Sequence, residues 1–444
     1  MRMPILKNIF SWTIIPTITL LMVLSLWVLS NLELNNVKNA TLPPEKILDK
    51  IAYIGHGKQL YTINPDGSKL TKISNEDGSS FSWPTWSPSN KSLLYTKYID
   101  KMESTHQFSS LNMFHTISKE HKTILEQENN ETIPIADNVI HYSLWSPDGK
   151  SIAFVVNTDG EITLSFFNNS LDQSTKLIQG GPIWISWSSD SEYLIAHADG
   201  RHFLINNSPN TPILDLGLFS KSYTVAPWKP NEHSILLSTQ TPDNQFKSFE
   251  VDLHESSELQ KDEDFITRGF PSYLWSPNGK ALAIGTKGRG ILWKGKSLSV
   301  HNELKIRREL NSNIFEYISI SDKIVSFFWS PDGKKIAVIT MSEKPGIFTL
   351  ATINIENEVI THLIDFSPTN DQLTMFQFFD QYAHSHSIWS PDSKSLVLAG
   401  NVKSEMRIIN ETSSSTNYII VVDAQTPEVY RLIGTGEFAT WSFK

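Results

Sequence analysis

Trp329-Ser330-Pro331-Asp332-Gly333-Lys334, followed at once by Ile336-Ala337-Val338, is the stretch that decides the fold. Each residue type suits one step of a strand, a tight turn and a second strand. Tryptophan belongs to a strand, where its large ring packs between neighbouring sheets. Proline presets φ at the first corner of the turn. Aspartate suits the second corner, and glycine accepts the positive φ that returns the chain to the next strand. A single copy is a weak turn signal, but here it recurs. Trp86-Ser87-Pro88, Trp145-Ser146-Pro147-Asp148-Gly149-Lys150 and Trp187-Ser188-Ser189-Asp190 precede it, with Trp228-Lys229-Pro230-Asn231 and Trp275-Ser276-Pro277-Asn278-Gly279-Lys280. Trp389-Ser390-Pro391-Asp392 and a truncated Trp441-Ser442 follow it. The spacings run from 41 to 60 residues, the size of a four-stranded unit with variable loops. Second strands follow the turns, as at Ile152-Ala153-Phe154 and Leu396-Val397-Leu398. Third strands are expected at Ile347 to Ile353 and Tyr418 to Val422, and fourth strands at Ile360 to Ile364 and Val429 to Ile433.

The series resembles the WD40-like PD40 repeats of TolB-type β-propellers over about residues 50–444. The resemblance implies an all-β chain. Eight Trp strands predict an eight-bladed β-propeller, with seven blades as the alternative if the Trp228 unit or the irregular unit after Trp275 is incomplete. TolB itself carries an N-terminal α/β domain and resembles a six-bladed ring, so a place in the Tol–Pal system does not carry over. In prolyl oligopeptidase-like peptidases a propeller precedes a hydrolase domain. Here the last propeller strand lies at the end of the given chain, and no such domain is expected.

The first and last units are each incomplete. Ile51-Ala52-Tyr53-Ile54, Leu60 to Ile63 and Leu70 to Ile73 supply second, third and fourth strands without a Trp strand. Phe438 to Phe443 supplies a Trp strand alone. Together they make one unit, so a propeller over 49–444 is expected to close through strand 437–443, with no unpaired edge where the termini meet.

Ile9 to Ser30 carries no charge and reaches the roughly 20 residues that a helix needs to cross a bilayer. Trp12 and Trp27 lie near its ends, and Arg2 and Lys7 precede it. The positive-inside rule places residues 1–8 in the cytoplasm, a single transmembrane helix at 9–30, a polar tether at 31–48 and the rest outside the cell membrane. A cleaved signal sequence ending near Val28-Leu29-Ser30 is the alternative, and it also exports the main domain.

The net charge is −9, which argues against nucleic acid as a partner. One basic stretch, Lys287, Arg289, Lys294, Lys296, Lys305, Arg307 and Arg308, reads as a solvated blade edge or a surface for an acidic partner or lipid headgroup. The chain has no cysteine, which excludes disulfides, thiolate metal sites, a cysteine nucleophile and a lipid-bearing N-terminal cysteine. The sequence contains no nucleophile elbow, zincin motif, Walker loop or dinucleotide fingerprint, so no cofactor is expected.

Loop lengths select a face. Connections after the Trp strands are short. Long second-to-third loops are expected at Tyr98 to Phe108 and Asn401 to Thr416, and long fourth-to-first loops at Glu126 to Ile140, Asn302 to Lys323 and Ser367 to Tyr382. In a propeller these two classes emerge on one face, and function concentrates in such loops. Three residues before the Trp positions, Trp83, Tyr142, Trp184, His386 and Phe438 are expected at the mouth of that face. They are candidates either for lining a funnel for a peptide or glycan, or for packing between blades. His384 and His386 alternate in an expected strand, so both rings are weak candidates for one metal. The reading is a membrane-anchored, extracytoplasmic scaffold that binds a protein or glycan in the cell envelope. The alternative is a lyase or glycan hydrolase working at the central channel mouth.

Overall fold

A computed structural model describes residues 50–443, except 75, 77, 101–106, 130–139, 159–160, 209, 221–223, 244, 254–260, 289, 294–295, 312–313, 321–322, 343, 345 and 403–415. The expected cytoplasmic segment, anchor and tether lie outside the described residues. Among those described, no helix is long and apolar enough to cross a membrane.

Each tryptophan heads an antiparallel meander. Ser79–Trp86 pairs in turn with Ser92–Asp100, Gln107–His115 and His121–Asn129. The Trp145 unit runs Ile140–Trp145, Ser151–Thr158, Glu161–Asn168, Gln173–Gln179. The Trp187 unit runs Ile183–Trp187, Tyr193–Ala198, Arg201–Asn206, Leu214–Phe219. Trp228 joins its unit through a single bridge to Ile235, in the strand Ser234–Gln240, which is followed by Phe246–Asp252 and Lys261–Thr267. The Trp329 unit comprises Ile324–Trp329, Lys335–Met341, Phe348–Asn354 and Ile360–Pro368. Trp389 bridges to Leu396 ahead of Ser395–Val402, Tyr418–Asp423 and the first half of Tyr430–Trp441. The second half of that last strand pairs with Ile51–Gly55, in the register Ile51 to Trp441 and Ala52 to Thr440. Leu60–Ile63 and Thr71–Lys72 continue outward from Ile51–Gly55.

The expected loop from Asn302 to Lys323 is corrected. The Trp275 unit uses this segment as its third and fourth strands, His301–Asn311 and Ile314–Ile320, after Pro271–Trp275 and Ala281–Lys287. Alternation explains it: Leu304 and Ile306 are fully buried, as inward positions of a strand with period two should be. The expected loop Glu126 to Ile140 begins inside the strand His121–Asn129 and ends at the first residue of Ile140–Trp145; residues 130–139 between them, with most of the Asn401 to Thr416 loop, lie outside the described residues.

The repeated turn is held by its serine. Ser146 Oγ accepts from the N–H of Ser151 at 2.9 Å and donates to Asp148 Oδ1 at 2.7 Å. Ser330 and Ser390 repeat both bonds with Asp332 and Asp392, and Ser276 does so with Asn278. These serines are buried, so the hydroxyl supplies the partner that a buried strand N–H requires. Gly149, Gly279 and Gly333 adopt positive φ at the last corner, and Asn90, Ser191 and Ser393 occupy the same position with the same sign. The indoles link successive units. Nε1 of Trp389 donates to Phe328 O, that of Trp329 to Leu274 O and that of Trp228 to Ser186 O, at 2.9, 2.9 and 3.0 Å. In each case the acceptor is the residue before the neighbouring unit's tryptophan.

Candidate functional site

The segment expected to form the exposed loop Ser367 to Tyr382 instead turns inward and fills the centre. It forms the helix Asn370–Gln377 and the short helix Phe379–Tyr382. Thr369 caps the first helix by accepting from Gln372 N–H, and Asp371 sits in its first turn, both favourable at a helix N-terminus. Leu373, Met375, Phe376 and Phe379 are buried. A loop with this many large apolar side chains cannot stay in water.

This plug touches every unit. Thr369 Oγ1 donates to Glu437 O, and Lys58 pairs with Asp371 and Glu437. Gln372 Oε1 accepts from Ala399 N–H. Gln377 exchanges two hydrogen bonds with the Ser299 backbone, at 2.7 and 3.1 Å. Phe379 packs on His301, Phe327 and Phe328. Asp380 accepts from the Val225 N–H. Gln381 holds Ile185 by both backbone groups at 3.0 Å. Its carbonyl accepts from the Tyr142 hydroxyl at 2.9 Å, and Ser385 O accepts from Thr85 Oγ1 at 2.6 Å.

Tyr382 decides the fate of the predicted mouth residues. Its ring stacks on Trp83 at 4.9 Å and meets Tyr142 and His386 edge-on, each at 5.3 Å. Phe438 lies edge-on to Trp83 at 5.1 Å and to His386 at 5.4 Å. Trp83, Tyr142, His386 and Phe438 therefore converge, but as a packed aromatic box rather than as an open funnel. The plug accounts for the packing, since its Tyr382 ring lies among them. Trp83 takes positive φ, a conformation rare for a bulky residue. Trp184 stays apart, half-buried beside His197 at 5.8 Å, and lines an open cleft.

The two histidines are also corrected. Residues 383–385 form a turn after the second plug helix and His386 is in no strand, so the two rings are not set by strand alternation. His386 is buried in the box. Its Nδ1 contacts Ser385 Oγ at 2.7 Å, and its Nε2 has no hydrogen-bond partner. Burial pushes its pKa down to about 3. His384 lies at the opposite end of the channel, bordering two cavities of about 270 and 320 Å³ walled by the repeat tryptophans. It meets water there yet is surrounded by protein, which lowers its pKa to about 4. Among the described residues no group of three His, Cys, Asp or Glu side chains is placed to hold a metal.

Sequence reasoning missed Asp380, Gln381 and Tyr382. Asp380 is 3% exposed, and its Oδ2 has no hydrogen-bond partner. Burial raises its pKa, with the charge of Lys287 opposing. Asp380, Lys287, Trp184 and the exposed Phe378 border one cleft of about 340 Å³ beside the first plug helix.

No family model matches the chain. The chain is 20% identical over 323 residues, 70% of its length, to a subunit of eukaryotic translation initiation factor 3 from Botryotinia fuckeliana (strain B05.10), and spans 41% of that relative. Among solved structures, a eukaryotic initiation factor is similar with a TM-score of 0.52 and 13% identity, over 88% of this chain and 98% of that one. Dihydro-heme d1 dehydrogenase NirN is similar with a TM-score of 0.53 and 12% identity, over 91% of this chain and 77% of that one. TolB from Acinetobacter baumannii is also found, with a TM-score of 0.37 and 15% identity, over 72% of this chain and 65% of that one. The chain is a β-propeller. Its repeats resemble those of TolB-type propellers, and at these identities the likeness carries the propeller fold alone.

Proposed function

We propose that this propeller is a membrane-anchored, extracytoplasmic binding scaffold of eight blades, which recruits a protein or glycan in the cell envelope through its variable-loop face. One observation carries the reading: the segment Thr369 to Ser387 fills the channel with packed aromatic side chains. Propeller enzymes that work at the channel need an open mouth with converging acids, bases or a metal. The repeat count and the pairing of Ile51 with Trp441 support eight blades. The uncharged run Ile9 to Ser30 supports the anchor. The test is cross-linking of the full chain in its native membranes, with mass-spectrometric mapping. Partner cross-links should fall on the face bearing Lys58, Lys287 and Lys344. Cross-links confined to the opposite face, at Lys150, Lys280 and Lys334, would contradict the reading. Protease protection of the whole propeller in right-side-out cells would contradict export.

A further inference from the structure

The cleft beside the plug combines features that the scaffold reading leaves unused. Trp184 and Phe378 offer aromatic surface, and Phe378 is 52% exposed although large and apolar. Asp380 brings an acceptor, Oδ2, that has no partner although the residue is almost wholly buried. A buried carboxyl oxygen without a partner is costly, and because burial disfavours its charged form, a group that can both donate and accept suits it. Lys287 lines the same cleft and brings donors with no acceptor function. Ser297, Ser299, Asn370, Thr374 and Gln377 add further polar groups to the lining.

These groups discriminate between ligand classes. An anion would face the Asp380 carboxyl, and an ammonium group would face Lys287. A hydroxyl donates and accepts at once, so neighbouring hydroxyls can serve both groups without adding charge. A pyranose ring presents such hydroxyls at its edge and C–H groups on its face, which suit the flat rings. The volume of about 340 Å³ lies at the lower end for small-molecule pockets, which begin near roughly 300 Å³. We propose that this cleft binds a neutral sugar ring, the terminal residue of an envelope glycan. The proposal rests on the reading of this face as the binding surface and names its ligand class.

The experiment is a glycan array probed with the detergent-solubilised full chain, followed by titration with the free oligosaccharide of the best hit. A lysine-rich peptide and an anionic oligosaccharide serve as comparison probes. Binding to neutral hexose- or N-acetylhexosamine-ended glycans is expected. Trp184→Ala and Asp380→Asn should each weaken it at least tenfold. Phe378→Ser, at an exposed side chain, should weaken it severalfold and keeps the test valid if Asp380→Asn fails to fold. Absence of any neutral glycan hit, binding indifferent to these variants, or preference for the peptide or the anionic sugar would overturn the proposal. The cross-linking map separates the two failures. Cross-links on the variable-loop face without sugar binding remove only the sugar, whereas cross-links on the opposite face remove the binding surface itself.

Discussion

Two side chains show how much each copy of the repeat does. Tryptophan reads in sequence as a packing residue. The structure adds a hydrogen bond, since Trp389 Nε1 reaches Phe328 O at 2.9 Å, whereas the buried Nε1 of Trp145 has no partner. Phenylalanine at either position leaves a similar void, but only at Trp389 does it also remove a buried hydrogen bond. Trp389→Phe should therefore cost about 1 to 2 kcal/mol more than Trp145→Phe in denaturant unfolding. Equal costs would show that the indole bond contributes nothing. The turn was legible in Pro, Asp and Gly, but the role of its serine was not, because propensity says nothing about which hydroxyl meets a buried N–H. His386 gives a second residue-level test. It is neutral in the folded state with a pKa of about 3, whereas the unfolded chain takes up its proton near the ordinary histidine value of about 6.5. Its stabilising share is thus complete above that value and is lost as pH falls through it toward 3. His386→Phe keeps an aromatic ring in the box and leaves Ser385 bonded to Tyr142. It should flatten the acid limb of stability by about 1.4 kcal/mol per pH unit, measured by unfolding between pH 7 and pH 4. An unchanged slope would mean that His386 is not held neutral.

The plug is the element on which the site depends. Gln381 lies buried and closes both backbone groups of Ile185, so Gln381→Ala leaves a donor and an acceptor orphaned. That should cost about 3 kcal/mol. Gln377→Ala breaks two bonds to Ser299 that face solvent and should cost less than about 1 kcal/mol. Chemical denaturation of the two variants checks the contrast, and similar losses would argue against Gln381 as an anchor point. Sequence reading placed this segment at the right point between blades but on the wrong side of the surface. Length alone suggested an exposed loop. The signal that would have corrected it was composition, because Leu373, Met375, Phe376, Phe379 and Tyr382 crowd into so few residues that exposure would be unfavourable. The same displacement explains the candidate site. Trp83, Tyr142, His386 and Phe438 share one offset from the tryptophans and pack close together. Whether they face a ligand or a neighbour depends on Tyr382, which arrives from a distant part of the chain. Asp380 was not legible for the same reason.

At the scale of the whole molecule two features are joined, a ring whose ends share a blade and a plug that contacts each unit. Strand period, turn spacing and the two incomplete units made the ladder order readable. The strands His301–Asn311 and Ile314–Ile320 were less so, since charges at alternate positions hide the buried Leu304 and Ile306. Removing Gly436 to Lys444 takes away Phe438 and Trp441, both buried, and exposes the edge of Ile51–Gly55. Loss of two such aromatic side chains alone is worth about 6 kcal/mol or more, so the truncated chain should unfold at much lower temperature, as followed by circular dichroism. Truncation removes many contacts together, and a more local probe is available because the chain contains no cysteine. Ala52 and Thr440 face each other across the closing ladder, and opposed strand residues lie within the Cα separation that a disulfide spans, roughly 4.4 to 6.8 Å. The most direct measurement is mild oxidation of the full chain carrying Ala52→Cys and Thr440→Cys, with free thiols counted and migration compared with and without reductant. Ring closure predicts complete intramolecular disulfide formation and thermal unfolding raised above that of the reduced form. Two free thiols in the folded protein would contradict a ring closed by its own C-terminal strand.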